Sequence, residues 1–188
     1  MYFKGQKFFI AGMSVSGESS ARFLLERGAE VYVYDDVVSD NIAKVYAELR
    51  GLGAHIVMAE NCDAAAEKCD ILVLSPGIPI DTALPVFFRK RGKAIIGEEE
   101  LAALYLRATA VAVTGTNGKT TTVSMLNEII NACGNHCVAC GNNGNPLIRE
   151  VEDLGFNDYA VVEISSFQLE TLTSLRPHIA VVTNVTED

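Results

Sequence analysis

A glycine-rich loop between an apolar segment and a helical segment is the feature that most constrains how this chain can fold. The apolar run at 110–113 is followed by Gly115, Gly118 and Lys119, and then by three consecutive threonines. Glycines allow backbone angles that let successive N–H groups point at phosphate oxygens, and the N-terminus of a following helix adds to that field. The segment therefore predicts a strand, a phosphate-binding loop and a helix within a parallel α/β unit.

The chemistry expected of this loop can be assigned residue by residue. Lys119 supplies a mobile positive charge, and Thr120 supplies the hydroxyl that phosphate loops place on Mg²⁺. The match is to a shortened form of the motif, because Val113 stands where the long form has glycine. A plain turn with a surface lysine is the alternative. The predicted ATP-binding residues are Gly115, Thr116, Asn117, Gly118, Lys119, Thr120 and Thr121.

Charge and hydropathy limit the classes of partner. The formal net charge is −9 over 188 residues, which argues against a nucleic-acid or membrane-surface binder because no positive field surrounds the molecule. Every apolar run is much shorter than the roughly 20 residues of a membrane span, and the start of the chain does not resemble a signal peptide. We therefore expect a cytoplasmic protein, and we expect it to be a monomer.

Five cysteines cannot all pair with one another, so reduced thiols are the simpler interpretation. Cys137 and Cys140 have the spacing of zinc ligands, and Cys133 and His136 lie close to them in the sequence. A second cysteine pair that would complete the familiar four-ligand pattern is missing. Zinc thus stays the less favoured alternative.

Short apolar runs alternate with segments of helical period along the first half of the chain. This pattern predicts a mostly parallel sheet covered by helices, with ligands at the carboxyl ends of the strands. We expect a Rossmann-like domain over residues 1–97, and a solvated first helical turn at the acidic triplet 98–100. The predicted strands are Lys7–Ala11, Val31–Tyr34, His55–Met58, Ile71–Leu74 and Ala94–Ile96, and the predicted helices are Glu18–Arg27, Asn41–Leu52 and Leu84–Arg91.

The second half predicts part of a P-loop NTPase-like α/β domain over residues 98–188. Its last predicted strand ends close to the final residue, so we expect a piece of a longer polypeptide. Beyond a strand that starts at Thr109, the predicted helices are Lys119–Cys133, Leu147–Asp153 and Phe167–Ser174, and the predicted strands are Cys137–Cys140, Tyr159–Ile164 and Ile179–Thr183.

A second glycine loop follows the first strand. It runs from Gly12 to Gly17 with the pattern G-x-S-x-x-G, in which serine replaces the second glycine of the dinucleotide fingerprint. That replacement weakens a reading as an NAD site. Asp35, at the end of the second predicted strand, could hold a ribose hydroxyl, and the turn Ser75-Pro76-Gly77 would shape the wall of a pocket. A purely structural tight turn at Gly12 is the alternative.

Four motifs together give the chain its most specific likeness, and they are Gly115–Thr121, Gly141–Pro146, Glu163–Glu170 and Thr183–Asp188. In their order and spacing they closely resemble the Mur ligases of peptidoglycan synthesis, and the resemblance covers essentially all of the chain. The string Ser-Ser-Phe-Gln-Leu-Glu at 165–170, with the upstream Ser14 to Gly17 loop and the 75–77 turn, is similar to the branch that adds D-glutamate.

The resemblance implies a three-domain, ATP-dependent amide ligase, of which this chain would hold the first domain and part of the second. ATP would phosphorylate the carboxylate of UDP-N-acetylmuramoyl-L-alanine, and the amino group of D-glutamate would attack the acyl phosphate. It also implies catalytic roles for Lys119 and Glu163, and Mg²⁺ ligation by Thr120 and Glu163. The implied contacts to the UDP-linked substrate are Ser14, Val15, Asp35, Asp36, Ser75, Gly77, Asn142 and Ser165.

The chain departs from the family pattern after Asp35, where a hydroxyl residue and an arginine are common and Asp36 and Val37 stand instead. The family also carries a histidine and a lysine that would lie beyond the last residue of this chain. We expect Phe167 and Leu169 to pack in the core.

Two other functions stay open. Another ligase of the superfamily, adding a different amino acid, would share the phosphate loop, but the string at 165–170 disfavours it. A non-catalytic nucleotide-binding module would need no Mg²⁺ ligand, and the presence of both Lys119 and Glu163 disfavours that. For Glu163 itself, a structural carboxylate at a strand end is the alternative.

Overall fold

The computed structural model of the protein describes residues 3–186. The chain forms two compact units, the first ending at Glu98 and the second beginning at Glu99. Each unit contains one sheet, and all recorded strand pairings in both sheets are parallel. This architecture confirms the predicted parallel α/β class.

The first unit has a five-stranded sheet with the order β3-β2-β1-β4-β5. Its central strands β1 and β4 read Lys-Phe-Phe-Ile-Ala and Ile-Leu-Val-Leu, continuous apolar runs of the kind found in strands covered on both faces. Phe9 and Leu72 face each other in the register and are fully buried. The elements are β1 (Lys7–Ala11), α1 (Val15–Glu26), β2 (Glu30–Tyr34), α2 (Asp40–Gly51), β3 (His55–Ile56), α3 (Cys62–Lys68), β4 (Ile71–Leu74), α4 (Ala83–Lys90) and β5 (Ala94–Gly97).

The second unit has a four-stranded sheet with the order β7-β8-β6-β9. Val113 on β6 and Val161 on β8 are fully buried and pack with Val123 of α6. Within residues 3–186, no helix is both long enough and apolar enough to cross a membrane. The elements are α5 (Glu98–Ala103), β6 (Thr109–Thr114), α6 (Lys119–Ala132), β7 (Cys137–Gly141), α7 (Leu147–Glu150), β8 (Tyr159–Glu163), α8 (Ser166–Leu169) and β9 (Ile179–Val182).

Most predicted elements are present within a few residues of their predicted ends, and two differ more. The sequence pattern does not predict α3, whose inward side chains are the small Ala65 and Ala66 and therefore give a weak apolar period. The helix predicted to end at Ser174 stops at Leu169. Beyond that point, the backbone N–H groups of Thr173 and Ser174 bind the Glu100 carboxylate instead of continuing a helix.

The acidic triplet at 98–100 also differs from its prediction as a solvated helical turn. Glu98, Glu99 and Glu100 are buried, at 1%, 1% and 5% exposure, and do not form a solvated first turn. Phe167 and Leu169, expected in the core, are exposed at 58% and 46%, whereas Gln168 between them is buried. Polar contacts rather than apolar packing therefore hold this part of the second unit.

Candidate functional site

The phosphate loop lies between the buried strand β6 and the N-terminus of α6, as its sequence predicts. Gly118 caps α6 in the left-handed region, with φ of 84°. Gly115 also has a positive φ, of 135°, and a β-carbon there would lie 2.2 Å from the Thr183 hydroxyl. The loop thus needs glycine at both positions, and its backbone stands at the positive end of a 14-residue helix.

Lys119 folds back over this loop. Its Nζ donates to the carbonyl oxygens of Gly115 at 2.6 Å and Thr116 at 3.2 Å. The ammonium group is therefore held by two neutral carbonyls, next to the loop that would cradle phosphates. A ligand phosphate can therefore compete for it without breaking an ion pair.

The segment after β9 stabilises the phosphate loop through hydrogen bonds to its backbone. The sequence analysis assigned this role to none of the residues in the segment. The Asn184 side chain accepts from the Asn117 N–H at 3.0 Å and donates to the Asn117 carbonyl at 2.9 Å. The Thr183 hydroxyl donates to the same carbonyl at 2.6 Å. The resemblance singled out this segment, but only the fold brings it to the loop. Residues 187 and 188 of that motif lie outside the described residues.

Glu163 ends β8, next to the loop in the sheet, because it pairs in register with Val113 on β6. Its side chain is 3% exposed, and its Oε2 has no hydrogen-bond partner. The Asn142 side-chain amide lies 3.5 Å from Oε1. A buried carboxylate with a free oxygen at the carboxyl edge of a parallel sheet is suited to accept a cation.

Gly141 brings Asn142 to this carboxylate. Gly141 has φ of 95°, and a β-carbon on it would lie 2.2 Å from the backbone oxygen of Glu163. This close approach allows the Asn142 N–H to donate to the Glu163 carbonyl at 2.9 Å. The loop at 141–146 and the end of β8 are therefore fixed to each other through backbone atoms.

Ser165 begins α8 with a capping box. Its hydroxyl accepts from the Gln168 N–H at 3.3 Å, and its own N–H donates to Gln168 Oε1 at 2.7 Å. The box holds Ser165 two residues beyond Glu163. The structure thus brings Asn142, Glu163 and Ser165 to one edge of the second sheet, next to the strand that carries the phosphate loop.

The candidate metal ligands are oxygen atoms of Thr120 and Glu163 and, in the alternative zinc interpretation, the sulfur atoms of Cys137 and Cys140. Thr120 lies exposed in the first turn of α6, and the free Glu163 oxygen supplies the hard anionic ligand that Mg²⁺ prefers. These residues fit a Mg²⁺ site completed by phosphate oxygens and water. Cys137 and Cys140 are buried in β7. Across the part of the chain that is described, no three His, Cys, Asp or Glu side chains are grouped as metal ligands.

In the first unit, the predicted substrate residues Ser75 and Asp35 hold the glycine loop. The Ser75 hydroxyl donates to the Gly12 carbonyl at 2.7 Å, and Asp35 accepts from the Met13 N–H at 2.7 Å. Ser14, which follows, is the N-cap of α1 and is exposed, as is Val15. Gly77 is exposed in the turn after β4. The side chains of Ser75 and Asp35 thus fix the backbone of the glycine loop, and a ligand bound at this loop would approach the same side chains.

A cavity of about 650 Å³ opens beside these strand ends, within the size range of small-molecule sites. Tyr34, Asp36, Ile78 and Phe87 are among its lining residues. The Tyr34 hydroxyl donates to Asp36 at 2.6 Å, and this hydrogen bond, together with burial, raises the pKa of the phenol well above its ordinary value. Asp36 therefore presents its carboxylate at the cavity already bound to a neutral phenol.

Comparison with known proteins assigns both halves of the chain. Residues 6–97 match the family described as "Mur ligase MurD-like, N-terminal domain", and residues 113–188 match "Mur ligase middle domain". Proteins named UDP-N-acetylmuramoylalanine–D-glutamate ligase from Geobacter metallireducens and Acidobacterium capsulatum are each 41% identical over all 188 residues. The chain spans 42% and 41% of the lengths of these relatives.

Solved structures agree on the fold. A ligase from Neisseria meningitides that acts on UDP-N-acetylmuramate and L-alanyl-gamma-D-glutamyl-meso-diaminopimelate aligns with a TM-score of 0.58 at 20% identity, over 97% of this chain and 61% of that one. UDP-N-acetylmuramate-alanine ligase from Thermotoga maritima aligns with a TM-score of 0.53 at 20% identity, over 97% and 42%. Two family models covering most of the chain, with relatives at about 40% identity along all of it, place this protein in the Mur ligase family.

Proposed function

We propose that this chain forms the substrate-binding and part of the ATP-binding region of an ATP-dependent amide ligase. The reaction would join D-glutamate to UDP-N-acetylmuramoyl-L-alanine, the chemistry that the names of its 41%-identical relatives indicate. Residues 1–97 would bind the UDP-linked substrate, and residues 98–188 would form part of the ATP-binding domain. The proposal includes a cytoplasmic location, because ATP is the co-substrate, and a monomeric state.

One observation carries the proposal: the phosphate loop, with Lys119 folded over it, lies beside a strand that ends in the buried, half-partnered Glu163. Phosphoryl transfer depends mainly on positioning and on neutralising charge that spreads over phosphate oxygens. Backbone N–H groups at 115–118 would orient the triphosphate. Lys119 would leave its two carbonyl partners and bind the transferring phosphoryl group.

Mg²⁺, when bound, would neutralise charge on the triphosphate, and Thr120 and Glu163 are the residues placed to hold it. Asn142 and Ser165, close to Glu163 in the same sheet edge, would contact the UDP-linked substrate. The substrate carboxylate would attack the terminal phosphorus of ATP, releasing ADP and giving an acyl phosphate. The amine of D-glutamate would then displace phosphate and form the amide.

Substitution of Lys119 tests the proposal in the full-length protein that carries this chain. We expect Lys119→Ala to lower the ligation rate by about 10³-fold, because a charge that contacts the transferring group is lost. Calorimetry should show nearly unchanged binding of UDP-N-acetylmuramoyl-L-alanine, since Lys119 belongs to the triphosphate loop. Lys68→Ala, at an exposed lysine of α3, is the matched control. Normal turnover of Lys119→Ala at saturating ATP would exclude the assignment.

A further inference from the structure

The short helix α8 carries the predicted substrate contact Ser165, but it cannot hold its own position. It has four residues, far fewer than an isolated helix needs, and its apolar side chains Phe167 and Leu169 are exposed. The contacts that fix it come instead from α5, through the buried carboxylates that the sequence pattern assigns to solvent.

Glu99 reaches α8 through Gln168. The Gln168 side-chain amide donates through Nε2 to Glu99 Oε1 and accepts through Oε1 from the Ser165 N–H. Glu99 is 1% exposed and Gln168 is 3% exposed, so water cannot easily replace either contact. Because the amide is engaged at both ends, its orientation is fixed. The position of the Ser165 backbone therefore depends on Glu99.

Glu100 fastens the chain beyond α8. Its carboxylate accepts from the N–H groups of Thr173 and Ser174, both at 2.9 Å, and from their hydroxyls, both at 2.6 Å. Burial opposes ionisation of this group, but the hydrogen bonds from Ser174 and Thr173 outweigh it and lower the pKa of Glu100 to about 2. Glu100 is thus anionic at neutral pH and binds the turn at 173–174 as a charged acceptor.

We propose that Glu99 and Glu100 are positioning residues for Ser165: Glu99 acts through Gln168, and Glu100 acts by fixing the turn that follows α8. The inference rests on the proposed function in so far as Ser165 contacts the UDP-linked substrate. The phosphate loop has separate supports, Asn184 and Thr183, which do not involve α5. Loss of the α5 contacts should therefore weaken the binding of the UDP-linked substrate and leave the binding of ATP nearly unchanged.

The test compares KM values for the two substrates in the full-length protein. Glu99→Leu removes the acceptor and leaves a buried amide donor unpaired, whereas Glu99→Gln retains an acceptor oxygen. We expect Glu99→Leu and Glu100→Gln to raise KM for UDP-N-acetylmuramoyl-L-alanine by about tenfold, with little change in KM for ATP. Glu99→Gln should stay within about twofold of the unsubstituted protein. Glu128→Gln, at an exposed glutamate of α6, is the control.

Equal increases in both KM values, or equal effects of Glu99→Leu and Glu99→Gln, would overturn the proposal, because a general loss of structure would produce either result. If Glu100→Gln does not fold, the two Glu99 variants still decide it. If the unsubstituted protein has no ligase activity, the proposed function fails and hydrogen exchange decides the positioning role. Faster exchange of the Ser165 and Gln168 N–H groups in Glu99→Leu but not in Glu99→Gln would support that role, and unchanged exchange would overturn it.

Discussion

At the scale of single residues, Glu163 is the clearest case of a side chain whose placement is costly unless a ligand arrives. It is 3% exposed and one of its carboxylate oxygens has no partner. Burying an unpaired anionic oxygen is unfavourable, and a divalent cation would relieve that cost. We expect Glu163→Gln to raise the Mg²⁺ concentration for half-maximal ligation by about tenfold or more, because the amide is a weaker ligand for a hard cation.

A titration of Mg²⁺ against the initial rate in the full-length protein measures this shift. Glu170→Gln, at an exposed glutamate of the same motif, controls for loss of a negative charge nearby. If the Mg²⁺ concentration for half-maximal ligation is unchanged in Glu163→Gln, Glu163 is a structural carboxylate at the end of β8 and does not bind the metal.

Gly141 gives a second prediction at this scale, one about stability. Alanine there would adopt an unfavourable positive φ and would also place its β-carbon 2.2 Å from the Glu163 carbonyl oxygen. At Gly144 the φ is similar, 93°, but a β-carbon would meet no atom within 4 Å. We expect Gly144→Ala to lower the free energy of unfolding by about 1 kcal/mol, and Gly141→Ala to lower it by roughly 3 kcal/mol or more.

Urea unfolding measures the loss of stability in both variants. Because both substitutions introduce the same backbone strain, the difference between the two losses reports the steric contact at position 141. Similar losses in the two variants would mean that β7 and β8 can separate at low cost, so that Gly141 does not fix Asn142 against Glu163.

At the scale of elements, the link from α5 to the turn after α8 should make stability depend on pH in acid. The pKa of Glu100 is about 2 in the folded protein, below its ordinary value of 4.5. The stabilisation is therefore fully present above about pH 4.5 and is lost as the pH falls toward 2. We expect the free energy of unfolding to fall more steeply between pH 5 and pH 2.5 in the unsubstituted chain than in Glu100→Gln.

Urea unfolding at several pH values across this range provides the two slopes. The other carboxylates titrate in both proteins, so only the difference between the curves reports on Glu100. Parallel curves would show that the carboxylate gains nothing from Thr173 and Ser174 in solution.

Sequence reasoning succeeded for elements that periodicity and local chemistry define. β1 and β4 have the predicted bounds because continuous apolar runs such as Phe8 to Ala11 leave few alternatives. It failed where distant contacts decide. Glu98–Glu100 look like a charged helix start in the sequence, and only the fold brings Thr173, Ser174 and Gln168 to them. The exposure of Phe167 has the same origin, since Gln168 takes the buried position on α8.

The candidate site shows the same division. The loop at Gly115–Lys119 could be predicted, because glycines, lysine and hydroxyl follow one another in the chain. The support from Thr183 and Asn184, more than 60 residues away, depends on β9 lying next to β6 in the sheet. No local pattern records that adjacency. The unpartnered oxygen of Glu163 could not be predicted from the sequence either, because it depends on burial by neighbouring strands.

At the scale of the whole molecule, the chain corresponds to about two fifths of its relatives' length, 42% for the protein from Geobacter metallireducens. We expect residues 1–188 alone to bind UDP-N-acetylmuramoyl-L-alanine weakly and to catalyse no ligation. The first unit has its own core, its glycine loop and a cavity of about 650 Å³, so part of a ligand site is in place. The triphosphate loop, by contrast, leaves Asn117 and Thr120 exposed to solvent, where competing water weakens every contact to phosphate.

Calorimetry with UDP-N-acetylmuramoyl-L-alanine and with ATP, together with phosphate release in the presence of D-glutamate, measures both parts of this expectation. Binding of the UDP-linked substrate should disappear in Ser75→Ala, because the hydroxyl that fixes the Gly12 carbonyl is lost, while Ser124→Ala, at an exposed serine of α6, should bind as the unsubstituted chain does. Phosphate release that depends on D-glutamate would contradict the prediction, since it would mean that these two units suffice to exclude water and to complete the charge neutralisation that acyl phosphate formation requires.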